Sequence, residues 1–341
     1  MFLPHGVIPL TMSFPPDDVA AGYANLRQNA NWLCVLDTQA ISSYHMGMNK
    51  LPLTKRVQIL SMLCEGSSMR SISRVADVSI NTVDKLLCDA GEVALAYHDK
   101  AVRGVKATRV QCDEIWSFVG AKQKNVANSK RAGDPTAGDC WTWTAIEADT
   151  KLLISYTVGG RDAEYALMLM DDLRGRLANR VQLTTDGHKA YLSAVEEAFG
   201  AEIDYGMLVK LYGGETGGQG HERKYSPSEC VGARKDTITG RPDPKHVSTS
   251  YVERANLTMR MSMRRFTRLT NAFSKKLTNH ANMVALYAIW YNFVRMHKTL
   301  RMSPAMAAGI ETRLWSMEDV AAMLDEHAQR NAPKLADRLV G

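Results

Sequence analysis

The sequence predicts a mixed α/β protein in two parts, an all-α helical region followed by a sheet flanked by helices. Two observations predict it. Apolar residues recur with a helical period from Thr54 to Leu87. Beyond Arg109 the period shortens to two, and strand-like runs then alternate with amphipathic helical ones. A run of strands followed by alternating helix and strand fits a mixed sheet with helices on its faces.

Residues 1–47 carry little pattern, because Pro4, Pro9, Pro15 and Pro16 interrupt any early element. One helix is expected within them, from Asp17 to Leu36. Patterned sequence begins at Met48, where the working protein is expected to start. The region 48–103 is expected to be a helix-turn-helix domain. TKRVQILSMLCEG reads as a helix closed by Gly66, with Val57, Leu60 and Leu63 inward. SMRSISRVADVSINTVDKLL gives two short helices around a turn at Asp77 to Ser79, with Ser79 as the N-cap of the second. Ile72, Val75, Ala76, Val78, Ile80, Val83 and Leu86 supply the apolar packing. Asn81, Thr82 and Lys85 then face outward, residue types suited to base edges and phosphates. A plain three-helix bundle that binds nothing is the alternative. A further helix is expected from Asp89 to Lys100.

The region 104–300 is expected to hold a five-stranded mixed sheet. Its strands are VQCDEIWSFVG, CWTWTAIEA, KLLISYTVGG, VQLTTDG and IDYGMLVKLY, with helices at AEYALMLMDDLRGRL and HKAYLSAVEEAFG. Trp141 and Trp143 alternate to one strand face, so core packing is expected of both. Residues 213–250, rich in glycine, proline and charge, read as a long loop carrying Arg223, Lys224, Arg234 and Lys235. A helix follows from Tyr251, and another from Leu277 to His297. Residues 301–341 form a helical C-terminal segment whose final helix, Met317 to His327, is amphipathic and suits an oligomer contact. The order of elements from 104 to 300 resembles that of the ribonuclease H-like fold.

Charge bounds the partners. The net charge of +6 is mild but uneven. Between Tyr251 and Arg301 ten Lys or Arg stand against Glu253 alone, a local net of +9. That block makes a polyanion a serious partner. The six cysteines form no C-x-x-C pair, which argues against a zinc finger or ribbon. Scattered cysteines in a chain of this size suggest reduced thiols and a cytoplasmic setting. No apolar run reaches membrane-spanning length, and the N-terminus lacks a secretory pattern.

Three acids fall where such an element order brings residues together. Asp113 lies within the first strand, Asp186 at the carboxyl end of the fourth, and Glu253 in the first turn of the helix after the long loop. Each alone has a structural explanation: Asp186 before Gly187 suits a turn, and Glu253 complements a helix dipole. Strand alternation leaves Asp113 and Glu114 as alternatives for the first position. Together the acids point to a carboxylate cluster for divalent metal. A phosphodiester repels a nucleophilic oxygen, and two hard cations about 4 Å apart relieve that repulsion during in-line displacement. Magnesium needs few protein ligands beyond carboxylates. Arg260, about two turns after Glu253, shares its face, with Arg264 a turn further on, so both suit DNA phosphates.

QCDEIWSFVGAKQ, TTDGHKAY and YVERANLTMRMSMRRFTRLTNAFSKK resemble the three catalytic blocks of the DDE transposases of bacterial insertion sequences, nearest to the InsAB type. YNFVRMHKTL with SPAMAAGI resembles the C-terminal stretch of many of them. The resemblance spans roughly Thr54 to Ile310. It implies that Asp113 rather than Glu114 is the first catalytic acid, followed by Asp186 and Glu253, all three holding Mg²⁺ or Mn²⁺, as two ions. It further implies binding of terminal inverted repeats, cleavage by water and joining by a DNA 3′-hydroxyl. The expected partners are double-stranded DNA, at element ends and target, and further copies of the chain in a dimer or higher oligomer at the nucleoid. Arg254, Arg265, Arg295 and His297 join Arg260 and Arg264 as expected DNA contacts, with the metal site as another destination for Arg295 and His297 and a helix-end cap as the alternative for His297. The zinc finger of many members is missing from the cysteine pattern. A regulator that binds DNA without catalysis and a ribonuclease H-like nuclease are the competing readings.

Overall fold

The computed structural model describes residues 50–212, 230–267 and 270–340. The expected helix from Asp17 to Leu36, and Arg223 and Lys224, lie outside the described residues. Residues from Leu51 onward belong to one compact unit.

Three helices open it: α1 (Leu53–Cys64), α2 (Met69–Ala76) and α3 (Ile80–Ala101). The turn between α2 and α3 forms as its residues dictate. Asp77 takes the left-handed conformation at φ 50°, which aspartate tolerates better than most residues. The Ser79 hydroxyl accepts the Thr82 N–H at 3.1 Å and caps α3. Ile72, Ala76, Val83 and Leu86 are buried as expected, whereas Val75 and Ile80 are exposed. The segment from Asp89 to Lys100 is not a separate helix. It continues α3, because nothing between Lys85 and Asp89 breaks the helical run.

The sheet holds strands β1 (Arg109–Val119), β2 (Gly138–Glu147), β3 (Leu153–Gly159), β4 (Gln182–Asp186), β5 (Asp204–Tyr212) and β6 (Cys230–Thr239), in the order β3-β2-β1-β4-β5-β6. β1, β2 and β3 pair antiparallel, β4 and β5 run parallel to β1, and β6 pairs antiparallel with β5. Among the described residues, six strands therefore replace the expected five. β6 falls in the stretch read as a long loop. Its residues are mostly exposed on both faces, so the apolar alternation that marks a strand is absent while its backbone still pairs with β5.

Helices α4 (Ala163–Arg176) and α5 (Ala190–Phe199) cover one face of the sheet; α6 (Ser250–Ser262) and α7 (Leu277–Ile289) lie on the other. β1 shows the division. Gln111 accepts the Tyr251 and Val252 N–H groups at the start of α6, while its neighbour-but-two, Glu114, meets Tyr191 of α5. α6 stops at Ser262, so Arg264 and Arg265 stand in a separate 3-10 turn (Arg264–Phe266) rather than on its surface. α7 ends in a single π turn, Trp290–Val294, short of the expected His297.

α3 packs closely on α7. A Cβ at Gly91 would lie 2.3 Å from that of Asn282, so this crossing requires glycine. Asn292, in the π turn, completes the sheet edge. Its Oδ1 accepts the Leu153 N–H at 3.0 Å and its Nδ2 donates to the Leu153 carbonyl at 2.9 Å. After a short helix α8 (Pro304–Ala307), α9 (Met317–Val340) runs back over α1 and α3. Val320 and Ala321 are buried there, and Arg56 clamps Asp325 at 2.7 and 3.1 Å. The apolar side expected to serve an oligomer is thus used within the chain.

Asn292→Ala strands the buried Leu153 N–H and leaves a small void. It is expected to cost roughly 2–4 kcal/mol, read as a lower midpoint in chemical denaturation with an unchanged slope.

Candidate metal centre

The register of β1 and β4 builds this site. Gln111 stands opposite Thr184 on the parallel neighbour. Two residues further along each strand come Asp113 and Asp186, side by side on one face. Asp186 is the last residue of β4, and the chain then turns away at Gly187. The turn fixes the side chain, since Asp186 Oδ1 accepts the His188 N–H at 3.0 Å. Beneath it, Thr185 Oγ1 bonds the Tyr205 hydroxyl at 2.8 Å.

Carboxylate oxygens of Asp113, Glu114 and Asp186 all lie within 4.8 Å of one another. Asp113 Oδ2 accepts from Asn256 Nδ2 at 2.9 Å, and the Asn256 carbonyl oxygen accepts from Thr144 Oγ1 at 3.1 Å. Glu114 is buried and held on the other side, by the Arg161 guanidinium at 2.6 Å and the Tyr191 hydroxyl at 3.2 Å. His188 and Trp143 close the wall around Tyr191.

The electrostatics follow from this crowding. Burial, then the Glu114 and Asp186 charges, push the Asp113 carboxyl up to about 7, against the pull of Asn256. Burial and Asp186 raise Glu114 as well, while Arg161 and Tyr191 hold it back. Burial lowers His188, aided by Arg161, so its ring is neutral near pH 7 and adds no positive charge to the group. The donor set fits a hard divalent cation, because its carboxylate oxygens are close together and partly buried.

Glu253 stands apart from that group. It lies on α6, one turn before the Asn256 that holds Asp113. Its carboxylate takes the Lys210 ammonium at 2.6 Å and the Thr249 hydroxyl at 2.5 Å. Of the three acids expected to meet, Asp113 and Asp186 come together, and the neighbour completing their group is Glu114. The strand pattern had left Asp113 and Glu114 open, and the two point to opposite faces yet converge on Asp186 at the strand end.

The expected DNA contacts divide. Asn81 and Lys85 are exposed on α3, with Lys85 3.5 Å from Asp89, while Thr82 bonds the Ser79 hydroxyl. Arg254 and Arg264 are exposed, and Arg260 is half-buried on α6. Arg295 lies over the Trp290 ring at 5.3 Å. His297 is lowered by burial, then by Lys151, Arg295 and Arg254, so these cations share one neighbourhood. Arg265 does not join them. Its guanidinium turns inward to Ser274 Oγ at 3.2 Å and the Asn279 carbonyl, near Asp84 of α3. It ties helices together because the chain leaves α6 at Met263 and turns Arg265 inward while Arg264 stays exposed.

Sequence reasoning missed Asn256, Arg161, Tyr191 and Lys210. Asn256 was within reach, since three residues after Glu253 on a helix puts it on the same face. Arg161 and Lys210 reach the acids only through tertiary contact and leave no local signal.

No family model matches this chain. No curated protein matches it either. Among solved structures it resembles a cryo-EM structure of a piggyBac transposase synaptic complex with hairpin DNA, at 10% identity and a TM-score of 0.31, over 92% of this chain and 81% of that one. A superposition that loose transfers neither a residue nor a role.

In the metal-free protein, a raised Asp113 carboxyl stabilises the fold when protonated. That stabilisation is complete below about pH 4 and is lost as pH rises through about 7. In EDTA, wild type is therefore expected to lose on the order of 2 kcal/mol between pH 5 and pH 8 that Asp113→Asn retains, read as a difference in melting temperature. Asn256→Ala, which frees Asp113, is expected to weaken Mn²⁺ affinity roughly 10- to 100-fold in calorimetric titration.

Proposed function

We propose that this protein is a DDE-type transposase of the insertion-sequence kind, carrying out divalent-metal-dependent phosphoryl transfer on DNA. The observation that carries the reading is the convergence of Asp113 and Asp186, each two residues beyond the last paired position of adjacent parallel strands, beside a helix with Glu253 in its first turn. The strand order, three antiparallel strands followed by two parallel ones, suits a ribonuclease H-like catalytic domain over 104–300, with a helix-turn-helix domain over 48–103 and a helical segment from 301. β6 adds an edge to that pattern.

Asp113, Asp186 and Glu253 are the proposed ligands of two Mg²⁺ or Mn²⁺ ions. Bound there, such ions would neutralise charge at the scissile phosphate and favour the attacking oxygen. The chain's own residues do the positioning. Asn256 holds Asp113 in place, and the His188 N–H orients Asp186. Arg161 and Tyr191 occupy Glu114 and keep it from competing as a ligand. Glu253 contributes by leaving Lys210, whose ammonium then faces a phosphate instead. Arg254, Arg260, Arg264, Arg295 and His297 are proposed to follow the DNA backbone, and Asn81, Thr82 and Lys85 to enter its major groove at the element ends. Bringing two ends together asks for at least a dimer. Location at the nucleoid follows from the substrate.

One observation favours a second reading, a regulator that binds DNA without cutting it: Glu253 is paired with Lys210 rather than with the other acids. An assembled pair of the element's inverted-repeat ends, incubated with Mg²⁺, separates the two. The proposed function gives nicked ends and joined products, and Asp186→Asn and Glu253→Gln each lower both by at least about a hundredfold. Binding of the ends with no cleavage in Mg²⁺ or Mn²⁺ supports the regulator, and nicking without joining makes the protein a nuclease.

A further inference from the structure

The distal half of β1 does not pack like its proximal half. β1 pairs with β4 only from Arg109 to Gln111, whereas its pairing with β2 continues to Val119. On the face that carries Glu114 stand Trp116 and Phe118, and Trp141 is the cross-strand partner of Trp116. Nearer the core, Trp143 opposite Glu114 is fully buried and donates its indole N–H to the Gly160 carbonyl. Trp141 is half-buried: it packs against the core as expected and also lies under the Arg161 guanidinium at 4.5 Å.

The rings continue outward as a ladder. Trp116 and Phe118 have centroids 5.7 Å apart at 36°, and Phe118 and Phe273 4.8 Å apart at 31°. The Gly120 N–H bonds the Ser274 carbonyl at 2.8 Å, which fixes Phe273 alongside. Trp116, Phe118 and Phe273 belong neither to the hydrophobic core nor to the residues packed against it. What lies over them is cationic. Lys122 stands 5.8 Å from the Trp116 ring and 6.0 Å from Phe118, and Lys275 5.4 Å from Phe273. The nearby acid Asp139, opposite Phe118, is bonded to the Gln123 N–H at 3.0 Å.

Half-exposed flat rings in a row, with ammonium and guanidinium groups over them, match the chemistry of an unpaired nucleotide strand. Rings take the bases, and cations take the phosphates between them. The ladder also has a direction. It starts two residues from Glu114, about 7 Å along β1 from the carboxylates, and leads away from them. Arg161 joins the two parts, bonding Glu114 while stacking on Trp141.

We propose that Trp141, Trp116, Phe118 and Phe273, with Lys122, Lys275 and Arg161, form a stacking platform for unpaired DNA bases next to the carboxylate group. The platform rests on the DNA-processing function above and adds a substrate feature to it: DNA opened at or beside the reacting phosphate, its bases held out of the duplex.

The test uses the full chain in EDTA and a fluorescein-labelled twelve-nucleotide oligo(dT), compared by anisotropy with the same length of phosphodiester bearing abasic residues in its central half. Wild type is expected to prefer the oligo(dT) roughly 5- to 100-fold. Phe118→Leu and Trp116→Leu, which keep apolar volume, are each expected to cut that preference about fivefold or more while their melting temperatures stay near wild type. Equal binding of the two probes by wild type, or an undiminished preference in both leucine variants, overturns the platform. So does tighter binding of oligo(rU) than of oligo(dT), which reassigns the surface to RNA. A protein that cleaves element ends yet ignores bases loses the platform and keeps the transposase function. One that prefers bases yet never cleaves keeps the platform and loses that function.

Discussion

Repulsion among Asp113, Glu114 and Asp186 is the constraint on which the site depends. Three carboxylates within 4.8 Å are unfavourable unless something separates, protonates or bridges them. The fold holds them there by backbone geometry. Parallel pairing of β1 with β4 sets two of them level, and consecutive positions on β1 supply the third. Neighbours then deal with each acid differently. Arg161 and Tyr191 satisfy Glu114 from the α5 side, whereas Asp113 receives the neutral Asn256 amide and a backbone N–H. The charge left over is therefore at Asp113 and Asp186, on the side that faces α6 and its basic extension.

That asymmetry links fold to chemistry. A site meant only to be stable would not bury an acid beside two others with neutral donors alone to support it, since well-packed apolar groups in place of buried charges are often neutral or stabilising. Here the helix that supports Asp113 also carries Glu253, Arg254 and Arg260, so under the proposed function one rigid element relates the acids to cations suited to a phosphate backbone. Lys210, reaching from β5, holds Glu253 in the meantime. Under the proposed function, an exchange of Lys210 from Glu253 to a phosphate would let substrate complete the site.

Much of this was legible in the residues. Period changes located the helices and five of the strands, and Ser79 marked the start of α3 through its capping hydroxyl. Asp186 was placed at a strand end by the turn pair that follows it. β6 escaped because a strand exposed on both faces shows no alternation, only backbone pairing. The separateness of Arg265 escaped because helical spacing assumes the helix continues, and α6 ends at Ser262. Tertiary partners such as Arg161 and Lys210 come from segments far away in sequence, where no local pattern announces them. Trp141 was read correctly: it shares the face of Trp143 and packs against the core, with the Arg161 guanidinium over its ring.

The central claim is that Asp113 and Asp186 hold a divalent ion with Glu253 as the third acid. Crystals soaked in Mn²⁺ and measured for its anomalous scattering test this most directly. The account predicts a peak in contact with carboxylate oxygens of both aspartates, and a Glu253 side chain that has left Lys210 for it. Saturating Mn²⁺ with no peak between residues 113 and 186, in a protein that is folded and binds DNA, would contradict it.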